Sequence, residues 1–253
     1  MDKTGPELTG ESSTGEQALQ GDIAQLSGEL SEAETWSRRR KVSAAISGIA
    51  RRGGSATWHG VRYSGQWLTS QALALAPRVP VRDQQTLRAQ FPGRNPEEVA
   101  DALIEGASRA SGTVGAAVGA AMVLPLPAAP VEIAVETLAL ISIELKLVAE
   151  LHEVYGLRAP GSVPERMFSY LAAWARRGGV SVAPGGLVLA VGSPMRRRLQ
   201  RRLIARAGRS ATSLGPLLTG AAIGALLNRR ETRRLGTDVR DDLRRRAPAS
   251  PTW

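Results

Sequence analysis

Apolar residues recur along much of this chain at the three- and four-residue spacing of helices, with glycine and proline between the periodic segments. Asn95, followed by Pro96 and two acids, predicts a capped helix that continues into the uncharged stretch 110–131. The aliphatic stretch 131–156 predicts a second long helix, because it ends at Gly156 and glycine closes many helices. The other predicted helices are 31–52, 64–76, 83–90, 163–177, 195–207, 212–235 and 238–246.

The fold class that these patterns predict is all-α. Aromatic residues make up only 4% of the chain, which favours close-packed helices built from small residues over a β-sandwich. Residues 180–194 are the exception, because they fit either a buried loop with a short helix or a pair of strands. The expected organisation is a disordered acidic tail at 1–30, a looser helical region at 31–94, a helical bundle-like domain at 95–246 and a tail at 247–253.

Small residues at intervals of four mark two uncharged stretches, 110–131 and 210–228. Residues four apart lie on one helix face, so glycine there lets another helix backbone approach closely. The second stretch is long enough to cross a bilayer, but arginines flank both of its ends, whereas spanning helices usually carry a basic bias on one side. We therefore expect burial within the protein, with shallow insertion as the alternative. The predicted packing residues are Gly115, Gly119, Gly220 and Gly224.

The net charge of +10 is unevenly distributed along the 253 residues. Residues 1–37 carry eight acids against Lys3 alone, whereas fifteen arginines and four acids follow Met195. Such a basic segment indicates either a solvated helical face or a partner with negative charge, namely anionic lipid or nucleic acid. The chain has no cysteine, which agrees with a cytoplasmic setting and excludes disulfides and thiolate metal sites.

The segment 195–207 predicts a basic amphipathic helix, with Met195, Leu199 and Leu203 on its apolar stripe. Such a helix suits an anionic membrane surface, and it equally suits docking on the protein's own core with its arginines in water. Nucleic acid is a less favoured partner, because no aromatic residue lies between these arginines and no helix-turn-helix spacing is evident. The predicted anion-binding residues are Arg196, Arg197, Arg198, Arg201, Arg202 and Arg206.

Ionisable residues of the helix 131–156 fall into two groups. Glu132, Glu136, Lys146, Glu150 and Glu153 share one face at about 100° per residue, and the favoured interpretation is a solvated stripe. A metal site is rejected, because di-iron bundles pair such carboxylates with histidines that this chain does not supply.

Glu144 instead falls among aliphatic residues of the same helix. A structural ion pair with a buried arginine, such as Arg109, is favoured there over a functional acid. No phosphate-binding loop, nucleophile elbow or zinc motif accompanies it, so no catalytic residue, cofactor or metal is predicted.

Three sequence features together resemble the EcsC family of bacteria. They are the small-residue helix 112–124 with the proline-rich break after it, the aliphatic helix ending in Val154-Tyr155-Gly156, and the late segment 220–236 with Gly220 and Gly224. The resemblance covers roughly residues 95–240 and implies a helical protein that is membrane-associated or membrane-adjacent. The family's biochemical activity is not established, so the resemblance supplies no catalytic residues.

The function expected from these observations is that of a non-enzymatic helical protein at the cytoplasmic membrane face, beside a transporter or another membrane protein. Two alternatives stay open. The first is a hydrolase-like enzyme that uses Glu144, and the second is a nucleic-acid-binding protein. The oligomeric state is not predicted.

Overall fold

A computed structural model describes residues 17–18, 20–25, 65–121, 129–176 and 218–247. These residues are helical or lie in turns and loops, and no strand occurs among them, so the all-α fold class is confirmed. The elements are α1 (Gly65–Leu75), a 3-10 helix (Ala76–Arg78), α2 (Gln84–Gln90), α3 (Pro96–Ala121), α4 (Ala129–Val154), α5 (Val163–Arg176) and α6 (Leu218–Arg246).

Local sequence sets several of the helix ends. At the start of α3, Glu98 N–H donates to Asn95 Oδ1 over 3.0 Å and Asn95 N–H donates to the Glu98 carboxylate over 2.9 Å. This reciprocal pair is a capping box, with Pro96 as the first helical residue. At the end of α4, Gly156 takes a φ of 66°, and Leu157 N–H donates to the His152 carbonyl over 2.9 Å. Glycine adopts that left-handed conformation without strain.

Helix α4 lies at the centre of the fold and contacts α1, α2, α3, α5 and α6. Residues 135–151 of α4 are all buried on every face of the helix. The predicted solvated stripe is therefore wrong at Glu136, Lys146, Glu150 and Glu153, whose exposed fractions are between 2% and 6%. A central helix has no side that faces water, so its charged residues are enclosed together with its aliphatic ones.

Helices α3 and α6 run antiparallel and make the most extensive helix–helix contact among the described residues. They approach closely at Gly115, where an added Cβ would lie 2.7 Å from the Gly224 carbonyl oxygen and 2.6 Å from Asn228 Nδ2. Real Cβ atoms do not come that near, so only glycine fits between the two backbones here. The surroundings of Gly119 and Gly220 lie outside the described residues, so their packing role stays a prediction.

Helix α6 is continuous from Leu218 to Arg246, whereas the sequence predicted a break between 235 and 238. Gly236 caused that error, because glycine after a basic turn is typical of a helix end. In the structure Gly236 is buried within the helix, and an added Cβ would lie 2.8 Å from Ile104 Cγ1 and 3.1 Å from Leu147 Cδ2. The glycine therefore serves close helix packing rather than termination.

The segments before α3 share the core of the later helices. Leu75, Val79 and Leu87 are buried in the same apolar cluster as α4. Within the stretch predicted as an acidic tail, residues 20–25 are helical and Ile23 is fully buried. Gln20 Nε2 also donates to Gln71 Oε1 over 2.7 Å, so this short helix is fixed to α1. The rest of the stretch 1–30 lies outside the described residues.

Candidate functional site

Glu144, the acid singled out in the sequence, lies in the interior with an exposed fraction of 1%. Its Oε2 accepts a hydrogen bond from Trp174 Nε1 of α5 over 2.7 Å. Its Oε1 accepts one from Thr232 Oγ1 of α6 over 3.1 Å. One carboxylate on α4 therefore holds two further helices, which is how a buried acid offsets part of its desolvation cost.

A chain of hydroxyl groups extends from Glu144 to α3. Thr232 Oγ1 lies 2.8 Å from Ser111 Oγ as well as within reach of Glu144. A hydroxyl carries one proton, so Thr232 donates it to the carboxylate and accepts the proton of Ser111. The chain joins α3, α6 and α4, and with Trp174 it includes α5. We call these residues, Ser111, Glu144, Trp174 and Thr232, the Glu144 network.

Sequence reasoning missed the partners of Glu144. Arg109 was the suggested partner, and this suggestion is wrong, because Arg109 pairs with Glu105 at 3.5 Å and its side chain is 48% exposed. The sequence did contain one indication of a partner, namely Trp174. It lies on the apolar face of its helix, and a buried indole N–H requires an acceptor. Thr232 lies 88 residues from Glu144, and no local pattern links the two.

The other enclosed charges of α4 are also paired. Glu150 accepts two hydrogen bonds from the Arg82 guanidinium, over 2.8 and 2.7 Å, and forms an ion pair with Lys146 Nζ at 2.7 Å. Lys146 Nζ also donates to the Pro80 carbonyl over 2.7 Å. Near the opposite end of α4, Glu136 accepts from Asn228 Nδ2 over 3.0 Å. These contacts fix α6 and the segment before α2 to the central helix.

A row of ion pairs closes the exposed edge between α3 and α6. Acids at every fourth residue of α3 meet arginines of α6: Glu97 pairs with Arg244 at 2.6 Å, and Asp101 pairs with Arg240 at 2.6 Å. Glu105 pairs with Arg229 at 2.6 Å and also with Arg233. We call these seven residues the charged ladder. It accounts for half of the eight arginines of α6.

The charged ladder shifts the pKa of Glu105. Burial alone would raise the pKa of this carboxyl, but the hydrogen bond from Arg233 and the charges of Arg229, Arg233 and Arg109 outweigh burial and lower it. At the end of the ladder, burial and the hydrogen bond that Tyr155 donates to Glu97 over 2.8 Å raise the pKa of the phenol. Glu105 is therefore ionised at neutral pH, and the Tyr155 phenol keeps its proton.

The side of α6 that faces away from the core, next to the charged ladder, has a different character. Leu226 is 66% exposed and Leu227 is 37% exposed, which makes them two of the most exposed large apolar side chains of the described residues. Arg230 and Arg234 lie one and two turns further along the same face and are exposed, with no ion pair to any described residue. We call these four residues the outer face of α6. It combines apolar and cationic groups on one side of one helix.

The predicted anion-binding residues cannot be placed beside this face, because they lie outside the described residues. They are Arg196, Arg197, Arg198, Arg201, Arg202 and Arg206.

A cleft of about 920 Å³ opens between the C-terminal parts of α4, α5 and α6. The rings of His152 and Tyr170, whose centroids are 4.7 Å apart, contribute to its lining together with aliphatic residues. Three aspartates and three arginines also line it, so the wall carries both signs of charge. Glu144 is not among the lining residues, so the buried acid and the cleft are separate features. The charged lining residues are Arg158, Asp238, Asp241, Asp242, Arg245 and Arg246.

The described part of the chain contains no group of three or more histidines, cysteines or carboxylates that could hold a metal ion. None of the helices in that part is both long enough and apolar enough to cross a membrane.

The chain matches no family model, no curated protein and no solved structure. The resemblance to the EcsC family is thus carried by the sequence motifs alone.

Proposed function

We propose that this chain is a non-enzymatic helical protein that binds the cytoplasmic face of an anionic membrane, beside a transporter or another membrane protein. The observation that carries the proposal is the outer face of α6, where Leu226 and Leu227 are exposed next to Arg230 and Arg234. An apolar stripe bordered by arginines is the pattern of helices that lie in the membrane interface.

The charged ladder explains why these arginines are available. Arg229, Arg233, Arg240 and Arg244 already neutralise acids of α3. Arg230 and Arg234 point away from α3 and form no ion pair with a described residue. Each arginine close to an anionic leaflet contributes on the order of 1 kcal/mol of binding, and that contribution decays within a Debye length.

The sequence adds a second basic surface to the proposal. The predicted amphipathic helix 195–207 carries six arginines around Leu199 and Leu203. Together with the outer face of α6, it would give the protein several weak electrostatic contacts, which add up to stable but salt-sensitive attachment. The acidic residues of 1–37 would compete for the same arginines, so their deletion is expected to tighten binding.

The test is co-sedimentation of the full chain with vesicles of phosphatidylcholine, with and without phosphatidylglycerol. We expect binding only to the anionic vesicles and its loss in high salt. Replacing Arg197, Arg198, Arg201 and Arg202 with glutamine is expected to weaken binding while circular dichroism shows unchanged helicity. In cells, the protein is expected in the membrane fraction and to be released by a high-salt wash. Equal binding to neutral and anionic vesicles contradicts the proposal.

The two alternative functions have distinct tests. A salt-dependent mobility shift with nucleic acid, in the absence of anionic-vesicle binding, would favour the nucleic-acid-binding hypothesis. The hydrolase hypothesis gains no support from Glu144, because the acid is 1% exposed and both of its oxygens accept hydrogen bonds from neighbouring helices. A functional acid needs access to its substrate.

A further inference from the structure

The two ends of the pair formed by α3 and α6 differ in their content of charged residues. At one end the charged ladder joins the two helices through ion pairs. At the other end, neither 110–121 of α3 nor 218–228 of α6 contains a charged residue. We call these two segments the uncharged end. The helices approach there through Gly115 and Gly224, so the uncharged end is also narrow.

A ring of arginines separates the two halves. Arg109 ends the charged part of α3, and Arg229, Arg230, Arg233 and Arg234 begin the charged part of α6. Arg109, Arg229 and Arg233 lie at one level of the antiparallel pair, because Glu105 contacts all three, and Arg230 and Arg234 follow Arg229 and Arg233 directly in α6. We call these five residues the arginine collar. It marks an abrupt change from uncharged to cationic surface.

The uncharged end presents apolar side chains to the outside. Leu226, 66% exposed, and Leu227, 37% exposed, lie directly beyond the arginine collar, and Ala222 one turn further is also exposed. The polar side chains that the structure describes in this region are hydrogen-bonded within the protein: Asn228 donates to Glu136, and Thr113 donates to the Arg109 carbonyl. A segment that enters lipid must satisfy its polar groups internally, and these side chains do so.

The dimensions of the uncharged end match half a bilayer. At 1.5 Å per residue, its two segments are about 16–18 Å long. The hydrocarbon core of a bilayer is about 30 Å thick, so one leaflet contributes about 15 Å. The uncharged end is therefore too short to cross a membrane and long enough to enter one leaflet.

We propose that the uncharged end of the α3–α6 pair inserts into one leaflet of an anionic bilayer, with the arginine collar at the level of the lipid phosphates. This inference rests on the proposed function and adds a defined depth and orientation to it. Arg230 and Arg234, the two collar residues without an ion pair to a described residue, suit pairing with phosphate, which fixes where insertion stops. Leu226 and Leu227 lie in the acyl region, and the charged ladder stays in water.

The chain has no native cysteine, which allows the depth to be measured with a single probe. Leu226→Cys carries an environment-sensitive fluorophore, and Val163→Cys is the matched control, because Val163 is 55% exposed at the start of α5. With phosphatidylglycerol-containing vesicles, we expect a blue shift at residue 226 and quenching by lipids that carry the quencher on their acyl chains. We expect neither effect at residue 163.

A pair of substitutions tests whether the exposed leucines contribute to the free energy of membrane binding. Leu226→Gln with Leu227→Gln is expected to weaken binding to anionic vesicles about tenfold, because two apolar side chains no longer leave water. Val163→Gln, an exposed apolar residue far from the collar, is expected to leave binding unchanged. Equal effects of the two changes would overturn the inference.

The remaining outcomes separate this inference from the proposed function. Binding to anionic vesicles without any change at the residue 226 probe overturns insertion and leaves peripheral binding intact. Absence of binding to anionic vesicles overturns both. A concentration-dependent blue shift without vesicles, together with dimerisation in analytical ultracentrifugation, shows that the outer face of α6 is a contact between copies and overturns insertion as well.

Discussion

The indole nitrogen of Trp174 donates to Oε2 of Glu144 over 2.7 Å, and both side chains are enclosed in the interior. This single bond links α5 to the central helix, while the other oxygen of the same carboxylate holds α6 through Thr232. The helices around α4 are thus positioned by hydrogen bonds to one carboxyl group as well as by apolar contact. A hydrogen bond in a region of low dielectric is stronger than the same bond in water.

Replacing Trp174 with phenylalanine tests that bond. We expect Trp174→Phe to lower the free energy of unfolding by about 1–3 kcal/mol. A buried carboxyl oxygen loses its donor, and the smaller phenyl ring leaves a cavity where the indole was. Urea unfolding followed by circular dichroism measures the change. A double-mutant cycle with Glu144→Leu, which offers no acceptor, separates the contact between the two side chains from the cavity that Trp174→Phe leaves. A coupling energy near zero would show that packing accounts for the whole effect.

Two buried serines of α3 are expected to respond in opposite directions to the same substitution. Ser108 Oγ is fully buried and has no hydrogen-bond partner in the described structure, whereas Ser111 Oγ is bonded to Thr232. Ser108→Ala is expected to raise the melting temperature, because an unsatisfied hydroxyl is costly to bury. Ser111→Ala is expected to lower the free energy of unfolding by about 0.5–1.5 kcal/mol. Equal shifts of the same sign would contradict the assignment of the Glu144 network.

The close approach of α3 and α6 can be tested with another matched pair. Gly115→Ala places a methyl group against the Gly224 backbone, so we expect it to destabilise the protein by about 1–3 kcal/mol. Gly21→Ala is the control, because Gly21 also lies in a helix but has no atom within 4 Å of an added Cβ. There the change is expected to be neutral or to stabilise by up to about 1 kcal/mol. Thermal unfolding of both variants measures the two changes in stability, and equal changes would contradict a close contact at Gly115.

The charged ladder predicts a dependence of stability on acid. The folded pKa of Glu105 is lowered from its ordinary 4.5, so its contribution is present above about that pH and is lost as the pH falls through the lower folded value. At neutral pH, Glu105→Gln is expected to lower the free energy of unfolding by less than about 1 kcal/mol, because its arginines are near the surface. Once the pH falls well below that lower folded value, the variant and the parent are expected to converge.

The control for this prediction is Asp238→Asn, because Asp238 is an exposed acid of α6 without an ion pair to any described residue. At neutral pH this variant is expected to differ from the parent by less than Glu105→Gln does, because it removes no ion pair with a described residue. Urea unfolding at several pH values measures both variants. A difference between Glu105→Gln and the parent that does not change with pH would contradict a role for the lowered pKa of Glu105.

Local chemistry made much of the fold predictable from the sequence. The cap at Asn95 and the glycine end at Gly156 depend on residues within a few positions of each other, and both appear where the sequence placed them. The acid Glu144 was recognised as buried, because its helical position falls among aliphatic residues.

What could not be predicted depends on neighbours that are distant in the sequence. Glu150 was interpreted as solvated, since one helix considered alone gives no sign that Arg82, which is distant in the sequence, will enclose it. Gly236 was interpreted as a helix end, since its contact with Ile104 of α3 arises only in the folded chain. The same limit applies to Thr232, whose partners lie on two other helices.

The charged ladder also has a consequence for the synthesis of the chain. Glu105 and Arg229 lie 124 residues apart, so α3 leaves the ribosome well before the arginines that neutralise it. At a synthesis rate of about 5–20 residues per second, that delay is about 6–25 s. During this interval the face of α3 that later packs on α6 is open to solvent and to other chains. Completion of this fold therefore waits for the C-terminal helix, and the nascent chain is most vulnerable to association before that helix is made.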